Sequence, residues 1–252
     1  MSWIVDNPFI LFVIALSAQW SMAYLGDLFR RTVRSLGKVE REDFDTVLAA
    51  TLTLFALIIG FSFSMAVSRY DQRKNCEEAE ANAIGTEYVR ADLLLGDKPA
   101  IVQDLLRKYA ANRVLFYQSG SVQPAENHAI AEAVESELWS VIAQTAKEQA
   151  TPIVALAVSG MNDVLNSQGY TQAAWWNRIP TAAWELMALM ALVANLLLGY
   201  RERKTGFLVL LVLPLVSSVA FFLIADIDSP GGGIIRVTPH NLIAVARLMN
   251  AR

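Results

Sequence analysis

The residues able to do chemistry are few, and their spacing builds no recognisable active site. The two histidines, His128 and His240, fall in different regions. There is no His-Glu-x-x-His pair for zinc, and no glycine-rich loop ahead of a helix to cradle phosphate. Cys76 is the single cysteine, which excludes an internal disulfide and a cysteine-rich metal centre. Glu77, Glu78 and Glu80 cluster, but adjacent helical positions point in different directions, and the cluster reads as a solvated surface. Neither a cofactor nor a metal is expected, and the chain does not read as an enzyme. A membrane enzyme would have to use Asp226, Asp228 and Glu185.

The informative residues lie inside apolar segments. Thr46, Ala50, Thr53, Leu57, Gly60, Ser64 and Ser68 recur at three- and four-residue steps, so they share one helix stripe. Two readings of that stripe stand. Small residues let helices pack closely. Hydroxyls near both ends, with Leu57 and Phe61 as a dry constriction, would instead line a pore, because apolar constrictions gate by dewetting. One helix cannot form a pore, but several copies around an axis can. Glu185 and Asn195 are the intramembrane polar groups. Glu185 is about one turn inside its segment and can reach the interface, and Asn195 suits a hydrogen bond to a neighbouring helix. Asp226 and Asp228 precede a Ser-Pro-Gly-Gly-Gly turn. They would attract a cation, hold Arg236, or cap the turn.

The elements that position these residues are set by a bilayer. A helix needs roughly 20 mostly apolar residues to cross a core about 30 Å thick. Four segments qualify: Pro8 to Leu25, Thr46 to Val67, Thr181 to Gly199 and Phe207 to Ala225. The chain has 252 residues, 54% of them hydrophobic and 18% charged, against roughly 25% charged in soluble domains. Mean hydropathy is +0.36. The net charge of -3 leaves no basic footprint for nucleic acid. Residues 1–7 carry Asp6 and no Lys or Arg, so the first segment reads as a retained helix and not as a cleaved signal peptide. Pro214 interrupts the fourth span, with Ser217 and Ser218 placed to satisfy freed carbonyls.

The expected class is all-α. Residues 1–67 hold the first two spans, 68–180 a helical extramembrane domain, 181–225 the last two spans, and 226–252 a turn and short helix. The second span continues outward as a helix with Ala79, Ala83, Ile84, Tyr88, Ala91 and Leu95 on one face. Gly96 is placed to end it. A second outer helix buries Val102, Leu105, Leu106, Tyr109 and Phe116. A third, from about Asn127, buries Ile130, Val134, Leu138, Val141 and Ile142. Pro152 opens another through Leu165. Trp175, Trp176 and Trp184 read as interfacial anchors. The last helix presents Leu242, Val245, Ala246 and Met249 to a neighbouring subunit or to the membrane.

Arg30, Arg31, Arg34, Lys38 and Arg41 in the first loop, with Arg201, Arg203 and Lys204 in the third, make loops 26–45 and 200–205 the cytoplasmic ones. Both termini and the large domain then face outward from an inner (cytoplasmic) membrane.

Leu57-Ile-Ile-Gly60-Phe61-Ser-Phe-Ser-Met-Ala-Val-Ser-Arg69-Tyr70 resembles the pore helix of bestrophin anion channels. Ser68-Arg69-Tyr70-Asp71, Glu78-Ala79, Asn82-Ala83-Ile84-Gly85, Trp184-Glu185-Leu186 and Ala225-Asp226-Ile227-Asp228-Ser229-Pro230 resemble the bacterial bestrophin-like membrane proteins over nearly the whole chain. The resemblance implies a four-span pentamer whose second helix lines an ion path. Phe61 and Leu57 would be neck positions and Thr53 a neck or entrance position. Arg69, Asp226 and Asp228 are expected as pore-mouth or ion-attracting residues. Bestrophins carry an aromatic where Leu57 stands. They also hold both termini and the large domain in the cytoplasm, opposite to the charge count. The expected function is an oligomeric ion channel with anions as the candidate ion and lipid and further copies of the chain as partners. The alternative is a non-conducting membrane scaffold or sensor whose outer domain binds a partner.

Overall fold

The computed structural model describes residues 2–32, 38–119, 125–201 and 209–251. Arg34, Arg203, Lys204, Phe207 and residues 120–124 fall outside them, as does the His128 side chain. The described residues are helical, with no strand among them: α1 (Ser2–Val5), α2 (Pro8–Thr32), α3 (Lys38–Arg90), α4 (Lys98–Ser119), α5 (Ala125–Glu148), α6 (Pro152–Trp176), α7 (Thr181–Arg201), α8 (Val209–Asp228) and α9 (His240–Asn250). They divide into two units. One comprises Met1–Ser68 with Arg178–Ile235, the other Arg69–Asn177 with Arg236–Arg252.

The first unit is the membrane-spanning bundle. It contains α2, the first part of α3, α7 and α8, and each of the four is long and apolar enough to cross a bilayer. α2 packs against α7 and α8. Its approach to α7 depends on glycine at two points. A Cβ on Gly26 would lie 2.8 Å from the Tyr200 backbone nitrogen, and one on Gly199 would strike the Ala23 backbone. Small residues at a crossing let backbones meet closely where lipid offers no hydrophobic drive to associate.

α3 is one helix of 53 residues, about 80 Å long at the usual rise and more than twice a bilayer core. No proline interrupts it. A 3-10 turn, Ala91–Leu93, closes it five residues earlier than expected. Gly96 then takes a left-handed φ of 71°, the chain's single positive value among described residues, which glycine adopts without strain.

The second unit, made of the end of α3 with α4, α5, α6 and α9, has its own core. Ile84, Tyr88, Ala91, Val102, Leu105, Leu106, Tyr109, Phe116, Leu138 and Ile142 join it as the helical pattern requires. Ile130 and Leu95 do not, and stand exposed. α6 extends to Trp176, well past the expected end at Leu165. Thr151 caps its start, accepting from the Val154 N–H, with Pro152 in the first turn. Trp175 is a core residue and no interfacial anchor: its ring centroid lies 4.6 Å from that of Phe116. Trp176 is the exposed one, at 76%.

α9 settles against its own chain, with Leu242 and Met249 buried. Neither a neighbouring subunit nor the membrane is needed to cover that face. Its two ends explain why. Glu77 of α3 accepts from the Leu242 backbone N–H at 2.9 Å and from the Asn241 amide at 2.7 Å. At the far end the Met249 carbonyl accepts from Tyr88 and from Arg107. A carboxylate at a helix N-terminus and a cation at its C-terminus complement the unpaired backbone groups and the dipole.

Candidate functional site

The stripe on the second span survives as a surface. Thr46, Ala50, Thr53, Leu57, Gly60, Phe61, Ser64 and Ser68 are all exposed, with Phe61 at 64% and Leu57 at 51%. The opposite face of α3 carries Leu48, Phe55, Ser62 and Ala66, all buried. Phe55 meets Phe221 of α8 edge to face, centroids 6.3 Å apart. Close packing inside one chain therefore does not explain the small residues. A Cβ added to Gly60 would meet nothing within 4 Å, in contrast to Gly26 and Gly199. The Thr53 hydroxyl donates to the Ala49 carbonyl at 2.8 Å, which leaves its oxygen lone pairs turned outward and its polarity on the exposed face.

Asn195 and Glu185 separate. Glu185 is exposed on α7. Asn195 is fully buried, and its amide donates to Gln19 Oε1 of α2 at 3.0 Å. Gln19 Nε2 donates on to Ser218 of α8 at 3.1 Å. Ser217 donates to Gln19 Oε1 and to its own helix at Leu213, 2.7 Å. The serines after Pro214 thus connect helices, and Ser217 also bonds a carbonyl one turn back. Gln19 was not singled out from sequence. Its signal was available, because it is the sole amide in an otherwise apolar segment, and a buried amide in hydrocarbon needs a partner.

Asp226 and Asp228 are buried, at 1% exposure each. Asp226 accepts from the Ile234 and Ile235 backbone N–H groups at 2.7 and 2.8 Å. Gly233 lets the turn close over that carboxylate, where a Cβ would collide with it. Asp228 accepts from Ile179 N at 3.1 Å and from Arg178 Nε at 3.4 Å, and Arg178 also pairs with Asp6. Asp226 thus caps the turn, and Asp228 ties the end of α8 to the residues ahead of α7. Arg69 donates to the Asn177 side chain at the end of α6.

Glu77 and Glu80 correct the reading of a solvated acidic cluster. Both are buried, and Glu78 alone is exposed. Glu80 pairs with the buried Arg113 and accepts from Thr171 at 3.0 Å. Tyr117 and Tyr109 surround that pair, and burial, with the Glu80 charge, pushes both phenols far above their ordinary range. Helical spacing could not reveal this, because the partners come from other helices. Among the described residues, no group of three metal-ligating side chains comes together.

Known proteins give the chain its place. A sequence model of the bestrophin-like domain matches residues 16–242. No curated protein matches. The crystal structure of a bacterial bestrophin homologue from Klebsiella pneumoniae, solved by zinc phasing, superposes with a TM-score of 0.65 at 14% identity, covering 94% of this chain and 95% of that one. A point variant of that homologue gives 0.67 at 13% identity, over 95% and 97%. At that identity the likeness is one of fold. The four spans are those the resemblance implied, and the matched residues reach into every span, so the chain belongs to the bestrophin-like family of multi-pass membrane proteins.

Proposed function

We propose that the chain is a subunit of an oligomeric ion channel whose second span lines the conducting route. Family and fold support a membrane ion channel at the coarse level. The observation that carries the finer reading is the exposed stripe from Thr46 to Ser68 on a helix whose opposite face is buried. A lipid-facing stripe would be uniformly apolar, as on α8, where Val212 and Val216 are exposed. This one mixes hydroxyls, a glycine and two large apolar groups, which suits copies gathered around an axis. In this arrangement Leu57 and Phe61 form the neck, Thr53 and Ser64 flank it, and pentameric closure is the state the family resemblance favours.

Purified protein in planar bilayers tests the reading. Leu57→Ala with Phe61→Ala should raise conductance or open probability, since a narrow apolar constriction is the barrier being removed. Unchanged currents in the double variant would remove the neck assignment. A monomer in detergent would remove the pore, and an oligomer with a filled axis and no current would favour the non-conducting scaffold. Reversal potentials in asymmetric chloride decide whether anions carry the current.

A further inference from the structure

Glu87 sits three residues before the end of α3, wholly buried, and neither carboxylate oxygen has a hydrogen-bond partner. A buried orphan of this kind is rare in native proteins and asks for an account. The opposing surface is α6, where Gly160 lies against it: a Cβ at position 160 would collide with the Glu87 carboxylate and with the Arg90 guanidinium. Glycine is therefore what permits the contact. Among the described residues, two charged groups act on Glu87. Arg90, on the same helix, holds Nη1 4.0 Å from Oε2, beyond hydrogen-bond reach. Asp163, one turn along α6 from Gly160, presents a second carboxylate. Asp92 of the following 3-10 turn accepts instead from Gln103 of α4 at 2.8 Å.

We propose that the Glu87–Gly160 contact is a proton-operated latch holding α6 against the end of α3. A neutral carboxyl can be buried at a tolerable penalty, whereas an ionised one without donors cannot. Burial pushes the Glu87 carboxyl up to about 8; Arg90 opposes that shift and Asp163 adds to it. The closed form therefore holds its proton where an opened, hydrated form would have lost it. By linkage, the contact is at full strength below the ordinary carboxylate range and weakens as pH rises through the folded-state value. Opening would let water or Arg90 reach the carboxylate. The latch does not depend on what the protein conducts.

The test uses the full chain in detergent or lipid discs. Hydrogen exchange over residues 152–165, corrected for intrinsic rates, is followed from about pH 6 to about pH 9. The wild type should lose about tenfold or more in protection across that window, and Glu87→Gln should show a flat profile. Infrared spectra at neutral pH should contain a protonated-carboxyl band that Glu87→Gln lacks. The wild-type profile retained in Glu87→Gln overturns the proposal. If that variant fails to fold, Asp163→Asn should move the midpoint to lower pH and Arg90→Gln to higher pH, and the absence of both shifts overturns it equally.

Discussion

The two units bury polar groups by different rules. Between the helix ends of the spanning unit, the buried polar side chains are neutral: Gln19, Asn195, Ser62, Ser217 and Ser218. Its buried carboxylates lie towards helix ends: Asp27 pairs with Arg30 and Arg31 near the end of α2, and Asp226 and Asp228, at the last turn of α8, are held by backbone N–H groups and Arg178. The other unit buries full charges along its helices, including Arg73, Glu77, Glu80 and Arg113. A bilayer interior has no water to assist an imperfect ion pair, so charge there is expensive. A water-surrounded core tolerates charge when each ion is paired and hydrogen-bonded. The contrast gives each unit its own point of vulnerability.

The largest effect should come from breaking the charge pair. Arg113→Met leaves Glu80 buried without its cation and should destabilise the protein by about 3–5 kcal/mol, read from denaturation of the purified protein. Adding Glu80→Gln should recover most of that loss. A loss under about 1 kcal/mol would mean the two units do not differ in this way. Next comes the crossing of α2 and α7. Gly199→Ala pushes a methyl into the Ala23 backbone and should cost about 1–3 kcal/mol.

Gln19→Leu sharpens the comparison further. It removes the amide joining α2, α7 and α8 and should cost about 0.6–1.7 kcal/mol, the range for hydrogen bonds between helices in lipid. A loss as large as that of Arg113→Met would show that neutral and ionic networks weigh equally. The smallest effect belongs to Gly60→Ala. With open space beside it, the change should leave the stability of a single subunit within about 0.5 kcal/mol. Any loss of oligomer in size-exclusion light scattering would then assign Gly60 to contacts between copies.

Much of this architecture is legible in the sequence for a physical reason. Bilayer thickness converts directly into helix length, so α2, the middle of α3, α7 and α8 announce themselves as apolar runs with few charges. Periodicity likewise places Thr53, Leu57, Gly60, Phe61 and Ser64 on one face of α3, and the structure leaves that face exposed. Periodicity describes one helix, however, and is silent about what stands opposite. Glu77 and Glu80 look like surface carboxylates until α9 and α4 bring the Leu242 N–H and Arg113 to them. Gln19 and Ser218 are 199 positions apart along the chain, Glu77 and Leu242 165. The sequence alone determined the spans, the shared stripe on the second span and the helical class, because each follows from local hydrophobicity and spacing. Tertiary structure alone decided which polar groups are buried and what satisfies them, because that depends on the partners folding brings from distant segments.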